Sequence, residues 1–217
     1  AEEHPHEAFL TNAIGTRFLA TLAYQYNAEI VYLSTDYVFS GLKNTPYSVY
    51  DAPEPQSVYG SSKLAGEGEV RALNPRHYII RTSGLWSSRR KNFALAILER
   101  AKTGQDLYVV DDQITAPTYV PHLAQAIAEL VKSKIYGTYH LASTGELSWF
   151  QFAKLLVEQG GYNAIVKPIT TQDLARPAAR PAYSVLDSSP YTLVTGKRLY
   201  GISLPESSRF QLPSSSA

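Results

Sequence analysis

A predicted strand followed by a predicted helix constrains this chain more than any other part of its sequence. Residues 28–33 form a β-branched and aromatic run that predicts a strand, which leads into Ser34 and Thr35. After a loop rich in proline and polar residues, a helix opens at Tyr59 and continues through Lys63. Residues four apart lie on one face of a helix, so both side chains can point toward the end of the strand.

These residue types suit the reduction of a carbonyl group, which needs a hydride on carbon and a proton on oxygen. A phenol with a pKa near ~10 is a poor proton carrier at neutral pH. We expect the Lys63 ammonium to lower the pKa of Tyr59 and so improve general acid catalysis. The pattern predicts that Tyr59 donates the proton, that Thr35 orients the carbonyl, and that Lys63 also binds the ribose of a nicotinamide cofactor.

The Tyr-x-x-x-Lys spacing alone is weak evidence. The 16 tyrosines and 9 lysines predict about 0.7 such pairs by chance, and Tyr59 is the one tyrosine with lysine four residues later. The preceding strand end makes the combination much more specific. The structural alternative is a surface tyrosine beside a solvated lysine.

Several longer motifs carry a resemblance to a known family. The sequence resembles the extended short-chain dehydrogenase/reductase superfamily and, within it, is similar to the family of dTDP-4-dehydrorhamnose reductases. The resemblance runs from Ala1 to about Asp187. It is carried by the blocks LSTDYVF (33–39), VYGSSKLAGE (58–67), RTS (81–83), VVDDQ (109–113), APTY (116–119), GTYHL (137–141) and RPAYSVLD (180–187).

The resemblance, together with the strand–helix–strand rhythm, predicts an α/β fold. We expect a Rossmann-like parallel sheet, whose N-terminal part is absent from this chain, and a smaller C-terminal substrate-binding lobe. Residues 1–85 and 117–142 would form the partial dinucleotide-binding domain. Residues 86–116 and 143–217 would form the substrate-binding lobe.

The resemblance implies NAD(P)H-dependent reduction of dTDP-4-dehydro-6-deoxy-L-mannose to dTDP-L-rhamnose. NADP(H) is the expected cofactor, and NAD(H) stays open because the residues that read the ribose 2′ position would lie outside this chain. A homodimer and a bridging Mg²⁺, as in some relatives, also stay open.

Ligands of such folds bind beyond the carboxyl ends of the strands. We therefore assign cofactor binding to Ser34 and Ser83, together with Tyr59 and Lys63. We assign substrate binding to two residues that follow Thr35, namely Asp36 and Tyr37.

Two further substrate contacts are expected. Relatives place a tryptophan on the sugar at the position of Gly84, and Trp86 is expected to substitute for it from two residues on. Arg180 is assigned to the nucleotide-sugar phosphate because guanidinium binds phosphate bidentately, the alternative being a surface salt bridge.

The glycine fingerprint that cradles a dinucleotide pyrophosphate does not occur in these residues. We therefore expect the isolated segment to bind nicotinamide cofactor poorly and to be inactive alone. Micromolar NADPH affinity in calorimetry of the 217 residues would contradict this.

Composition excludes several other classes. The net charge of +1 offers no basic field for nucleic acid, and the chain has no cysteine. No apolar run approaches the ~20 residues of a membrane span. We expect a cytoplasmic protein that binds neither nucleic acid nor membrane. No metal site is predicted, since Asp111 and Asp112 read as a polar turn.

Two other functions compete with the reductase hypothesis. The first is a nucleotide-sugar epimerase or dehydratase of the same superfamily, but dehydratases follow the threonine with an Asp-Glu pair and here Tyr37 follows Asp36. The second is a non-catalytic regulatory subunit, which the intact Thr35, Tyr59 and Lys63 argue against.

Periodicity and turn signals predict the remaining elements. Helices are expected at residues 7–26, from about 57 to 73, 92–102, 120–132 and 149–159, and strands at 77–82, 107–110, 139–141 and 165–169. Trp149 and His140 are predicted to be core residues.

Overall fold

The computed structural model describes residues 1–174 and 178–202. The sequence predicts a proline-rich loop at 175–182 and a Ser- and Pro-rich tail at 205–217; the tail and part of the loop lie outside these residues. The helices are α1 (Pro5–Phe9), a π-helical segment (Leu10–Ile14), α2 (Gly15–Gln25), a 3₁₀ turn (Asp36–Val38), α3 (Val58–Leu73), α4 (Phe93–Lys102), α5 (Val120–Lys132), α6 (Trp149–Gln159), a 3₁₀ turn (Gln172–Leu174) and α7 (Ser189–Thr195). The strands are β1 (Ile30–Thr35), β2 (His77–Thr82), β3 (Leu85–Trp86), β4 (Leu107–Val110), β5 (Ile114–Thr115), β6 (Thr118–Tyr119), β7 (Gly137–His140), β8 (Leu147–Ser148) and β9 (Val166–Ile169).

A three-stranded parallel sheet in the order β1-β2-β7 positions the site. The register pairs Thr35 with Thr82, so the first two strands end at the same edge. Parallel strands need crossover connections, which α3 and α5 provide. The predicted α/β fold with a parallel sheet is confirmed.

Helices cover both faces of this sheet, since side chains of successive strand residues point to opposite faces. Ile79 packs with Val70 of α3 and Ala20 of α2 on one face. Ile80 packs with Leu130 of α5 on the other. The central strand β2 is consequently buried along most of its length.

A second hydrophobic core lies apart from the sheet. It is built from α4, α6 and the parallel pair β4–β9, and it contains Leu98, Leu107 and Phe152. All its fully buried members lie within residues 86–116 and 143–217, the ranges proposed for the substrate-binding lobe, although the partly buried Tyr119 also packs against it. Tyr191 of α7 departs from this division, because it belongs to residues 143–217 but packs on the sheet with Tyr78.

The predicted helix at 7–26 is helical but not uniform. Residues Leu10–Ile14 form a π turn, and the Asn12 carbonyl accepts hydrogen bonds from the Thr16 hydroxyl (2.9 Å) and the Tyr32 hydroxyl (3.1 Å). The apolar side chains of this helix are only partly covered, since Phe18 and Leu19 are exposed.

Four two-residue strands and α7 were not predicted. β3 pairs with β6, and β5 pairs with β8. Two residues are too short for a periodic pattern to show, so only the folded structure reveals them.

The close packing of α3 against the π turn depends on Gly66. A Cβ at this position would lie 2.1 Å from the Asn12 carbonyl oxygen and 2.2 Å from the Tyr32 hydroxyl. Both atoms also hold the π turn against β1. The absence of a side chain at Gly66 therefore fixes the distance between α3 and its neighbours.

We predict that Gly66→Ala lowers the free energy of unfolding by about 1–3 kcal/mol, because the added methyl overpacks this contact. Gly68→Ala is the matched control in the same helix, where an added Cβ meets no atom within 4 Å. The control should be neutral or stabilising by up to about 1 kcal/mol, since alanine favours helix. Urea denaturation measures both, and equal effects would contradict the prediction.

Candidate active site

A cavity of about 240 Å³ opens at the carboxyl edge of the sheet. The ends of β1 and β2, the first turn of α3 and the β5 region all contribute to it. Its lining residues are Ser34, Thr35, Asp36, Tyr37, Tyr59, Thr82, Ser83, Gly84, Leu85, Gln113, Ile114, Thr115, Trp149, Pro181 and Ser184. The structure thus brings together six of the residues assigned from sequence, namely Ser34, Thr35, Asp36, Tyr37, Tyr59 and Ser83.

Thr35 lies at the last position of β1, where the extended strand turns into a 3₁₀ turn. Its side-chain oxygen accepts a hydrogen bond from the Tyr37 N–H at 3.2 Å and so caps that turn. Its hydroxyl donates to Asp36 Oδ1 at 2.9 Å. Local backbone geometry therefore fixes the Thr35 hydroxyl at the cavity wall.

Tyr59 lies in the first turn of α3, which begins after Ser57. The Ser57 side chain accepts a hydrogen bond from Gly60 N–H at 3.1 Å, as expected of an N-cap. The Tyr59 ring packs edge-on against Tyr37, with the ring centroids 6.0 Å apart. The cap and this ring contact place the phenol at the cavity.

The prediction that Lys63 lowers the pKa of Tyr59 is wrong in this structure. Burial raises the pKa of Tyr59 above its ordinary value; a hydrogen bond with Thr35 lowers it, and the nearby Asp36 carboxylate raises it further. The Lys63 ammonium instead lies over the ring of Tyr32, 4.1 Å from its centroid. Burial also lowers the pKa of Lys63, an effect that Glu67 partly offsets.

Lys63 also does not line the cavity, although it lies one turn from Tyr59. Its ammonium makes no ion pair with any residue that the structure describes. A cation held by an aromatic face and without a carboxylate partner can bind ribose hydroxyls.

A buried ion pair lies directly behind the carboxyl edge of the sheet. Glu67 is 0% exposed and Arg81 3% exposed, and they form a two-pronged contact with N–O distances of 2.9 and 2.7 Å. The Ser34 hydroxyl donates to the same carboxylate at 2.5 Å. Ser34 therefore lines the cavity with its hydroxyl already engaged.

The predicted sugar contact of Trp86 is wrong. Trp86 is 2% exposed, lies outside the cavity lining and packs against Phe152 and Tyr119 at the second hydrophobic core. Trp149 packs on the second hydrophobic core, as the sequence predicted, and also lines the cavity. The reason is topological, because the β5–β8 pair brings the start of α6 to the site.

Arg180 lies at a second cavity of about 420 Å³ that shares Gln113 and Trp149 with the first. Lys91 and Arg100 also line it, together with several aromatic and apolar side chains. The Nε of Arg180 is buried without a hydrogen-bond partner among residues 1–174 and 178–202. The ion pairs of this part of the chain do not include Arg180, so the alternative of a surface salt bridge has no support there.

Other predicted polar residues have structural partners. His140 is buried, as predicted, and its Nδ1 lies 3.0 Å from the Tyr47 carbonyl. Asp111 accepts a hydrogen bond from Ser148 at 2.5 Å, and Asp112 binds Thr171. The described residues contain no cluster of His, Cys, Asp or Glu arranged to hold a metal ion.

The cavity fits the nicotinamide side of a dinucleotide cofactor. Thr82 Oγ1 lines it and is buried without a hydrogen-bond partner in the described part of the chain. Ser83 lies beside it, with its hydroxyl donating to the Ala116 carbonyl at 3.2 Å. The Thr82 hydroxyl is thus available to form a hydrogen bond with a ligand. This sequence contains no glycine-rich loop that would bind the pyrophosphate of the cofactor.

Comparison with known proteins identifies the family. The profile described as "RmlD substrate binding domain" matches residues 1–202. The chain belongs to this family. The dTDP-4-dehydrorhamnose reductase of Sinorhizobium fredii is 38% identical over 94% of the chain and 71% of its own length. The spore coat polysaccharide biosynthesis protein SpsK of Bacillus subtilis is 38% identical over 85% of the chain.

A solved structure agrees with this family. The crystal structure of dTDP-4-dehydrorhamnose reductase from Bacillus anthracis, in complex with NADP, has a TM-score of 0.91 and is 37% identical, covering 93% of this chain and 72% of that one. The chain spans 65% of the length of the Bacillus subtilis relative. Within the described residues, no helix combines the length and apolar character that crossing a membrane requires.

Sequence reasoning missed Thr82, Gln113, Thr115 and Ser184 as cavity residues. Thr82, Gln113 and Ser184 belong to blocks that carry the family resemblance, which was the available signal. Their place at the cavity follows from long-range contacts such as Ser184 N–H to the Ile114 carbonyl.

We predict that Glu67→Gln lowers the free energy of unfolding by about 3–5 kcal/mol, because it leaves the Arg81 charge buried without a counter-charge. Glu69→Gln is the matched control, since Glu69 pairs at the surface with the half-exposed Arg17. That change should cost about 1 kcal/mol or less. Guanidinium denaturation compares the two, and a loss at Glu67 no larger than at Glu69 would rule out the ion pair as a major support.

Proposed function

We propose that this chain carries the proton-donating site of an NADPH-dependent reductase that converts the 4-keto group of dTDP-4-dehydro-6-deoxy-L-mannose into the alcohol of dTDP-L-rhamnose. The observation that carries the proposal is the meeting of Thr35 and Tyr59 at one cavity on the carboxyl edge of the sheet. The family match and the activity named for the Sinorhizobium relative support it.

The proposed chemistry assigns one task to each side chain. NADPH, when bound, would supply the hydride to C4 of the sugar. Tyr59 would give its phenolic proton to the 4-oxygen, and Thr35 would hold that oxygen by a hydrogen bond. The raised pKa of Tyr59 keeps the phenol protonated at pH 7, which is the form that reduction needs.

Cofactor contacts on this chain are proposed for Lys63, Ser34, Ser83 and the newly found Thr82. Lys63 would bind the ribose, and Thr82 offers the hydroxyl with no partner in the described residues. NADP(H) is preferred because the Bacillus anthracis structure holds NADP. NAD(H) stays an alternative.

Substrate contacts divide between the two cavities. Asp36, Tyr37 and Trp149 line the first, where the sugar would react. Arg180 lines the second, where a diphosphate would find three cationic side chains close to aromatic surface. The shared wall places the two parts of a nucleotide sugar next to each other.

A dehydratase is less well supported. Elimination of water calls for a second acid or base, and Asp36 is the one carboxylate among the lining residues of the first cavity. A regulatory subunit would have no reason to keep Thr35 and Tyr59 at one cavity. Absence of turnover together with tight binding to a partner protein would favour that alternative.

Two finer points belong to the same proposal. We infer a cytoplasmic location, since NADPH is an intracellular reductant. We infer a homodimer, for which the exposed Phe18 and Leu19 of α2 offer apolar surface.

We predict that Tyr59→Phe lowers kcat by about 10²–10⁴-fold, because the phenol supplies the proton in the transition state. Loss of NADPH absorbance with the 4-keto nucleotide sugar measures this in the full-length protein. Tyr26→Phe, the same chemical change on an exposed side chain of the α2 end, should have wild-type activity. Retained turnover in Tyr59→Phe would remove Tyr59 from the proposed role.

We predict that Arg180→Gln raises KM for the nucleotide sugar by about tenfold or more while kcat changes little, because a charged hydrogen bond to phosphate is lost. The inhibition constant of dTDP should rise equally, whereas that of thymidine should not change. Arg17→Gln is the matched control at the surface. A parallel loss of thymidine affinity would show that Arg180 does not act through the diphosphate.

A further inference from the structure

The Thr35 hydroxyl has a single proton and more than one acceptor that competes for it. In the structure this proton points at Asp36 Oδ1, at an oxygen–oxygen distance of 2.9 Å. The proposed reaction needs the same proton on the substrate oxygen. Thr35 cannot donate to both at once, so something must decide between the two acceptors.

Asp36 is placed to make that decision. It is 4% exposed, lies next to Thr35 in sequence and lines the same cavity. The Ser184 hydroxyl, the Thr35 hydroxyl and the Tyr37 N–H stabilise its charged form, while burial opposes that form more strongly. The net result raises the pKa of Asp36 to about 6.

The other groups around Asp36 do not replace it in this role. Tyr59 of α3 is the titratable group that faces it, and burial places the Tyr59 pKa above its ordinary value near ~10. Ser184 and Thr115, from the other side of the cavity, are uncharged hydroxyls, and the Ser184 proton can be donated either to Thr115, 3.2 Å away, or to Asp36. The charged Arg81 and Glu67 are engaged with each other behind the edge.

We propose that Asp36 is a positioning residue whose proton determines whether the Thr35 hydroxyl donates to Asp36 or to the substrate oxygen. This inference rests on the reductase function proposed above. Ionised Asp36 accepts the hydrogen bond from the Thr35 hydroxyl. Protonated Asp36 is a weaker hydrogen-bond acceptor, so the Thr35 hydroxyl then donates to the oxygen of the carbonyl that is to be reduced.

The protonation state of Asp36 determines the direction in which kcat/KM changes with pH. Asp36 is protonated below about pH 6 and ionised above it. The rate constant kcat/KM, which reports the free enzyme, should therefore fall as pH rises through this value, by at least tenfold between about pH 6 and 8. Tyr59 loses its proton only at far higher pH, so it does not produce this fall.

The first experiment measures kcat/KM of the full-length protein from about pH 5 to 9 in three variants. Asp36→Asn cannot ionise and should change less than twofold where the wild type falls at least tenfold. Ser184→Ala removes one donor to the carboxylate and should move the midpoint to higher pH. Asp106→Asn, which alters a surface ion pair with Lys167, should keep the wild-type profile.

A persistent fall in Asp36→Asn, or an unmoved midpoint in Ser184→Ala, would overturn the inference. Circular dichroism verifies that each variant folds. Should Asp36→Asn fail to fold, Ser184→Ala decides the result on its own, because a purely structural role of Asp36 would not shift a pH midpoint.

A second experiment separates this inference from the proposed function. Carbon-13 NMR of carboxyl-labelled aspartate follows Asp36, whose signal is the one missing in Asp36→Asn. Thr35→Val should raise the pKa of Asp36, because the donor at 2.9 Å is lost. Failure of the wild type to reduce any 4-keto nucleotide sugar would end the proposed function, and an unchanged Asp36 titration in Thr35→Val would end this inference even in an active enzyme.

Discussion

The buried contact between Glu67 and Arg81 is the interaction on which the site depends. It joins α3 to β2, and the Ser34 hydroxyl extends it to β1. Two full charges lose their hydration in such a place, and only good geometry and additional hydrogen bonds offset that cost. The two-pronged pairing provides the geometry and the Ser34 hydroxyl an additional hydrogen bond, although Arg81 Nη1 has no hydrogen-bond partner in the described residues. The strands and the helix are thereby held in one relative arrangement. An apolar contact of equal area would specify the position of α3 along the sheet less sharply, because hydrophobic burial is non-directional.

The arrangement also fixes the positions of Thr35, Tyr59 and Lys63, the side chains proposed to act in catalysis, because they lie close in sequence to Ser34 and Glu67. Thr35 follows Ser34 directly, and Lys63 precedes Glu67 by one helical turn. Locking Ser34 and Glu67 together therefore sets the distance between the end of β1 and the start of α3, where Tyr59 lies. Gly66 completes this geometry, since its missing side chain lets α3 approach the π turn and Tyr32. Rigid elements behind a site are the usual means by which proteins hold reacting groups in place.

The sequence predicted the parallel sheet, the long helices and the meeting of Thr35 with Tyr59, because periodicity and chain order determine these features locally. It failed where long-range contacts decide. Trp86 is buried in the core and Trp149, which packs on the same core, reaches the cavity, since neither periodicity nor spacing shows which tryptophan a two-residue strand pair will turn toward the cavity. The Tyr59 pKa was also predicted in the wrong direction. A spacing of four residues brings Lys63 to the correct face, but burial and the ring of Tyr32 decide what the ammonium does there.

The two adjoining cavities suggest how binding could serve the reaction. The first is small and lined largely by hydroxyls, while the second holds cationic and aromatic side chains and shares Gln113 and Trp149 with it. A ligand that fills both would be anchored by its charged part at Arg180, away from the reacting carbonyl. Binding energy gained there can offset the cost of ordering the sugar beside Tyr59 and of displacing water from it. The hydroxyl-rich cavity then needs no strong hold on the ground state, and its hydrogen bonds are free to strengthen as negative charge develops on the oxygen being reduced.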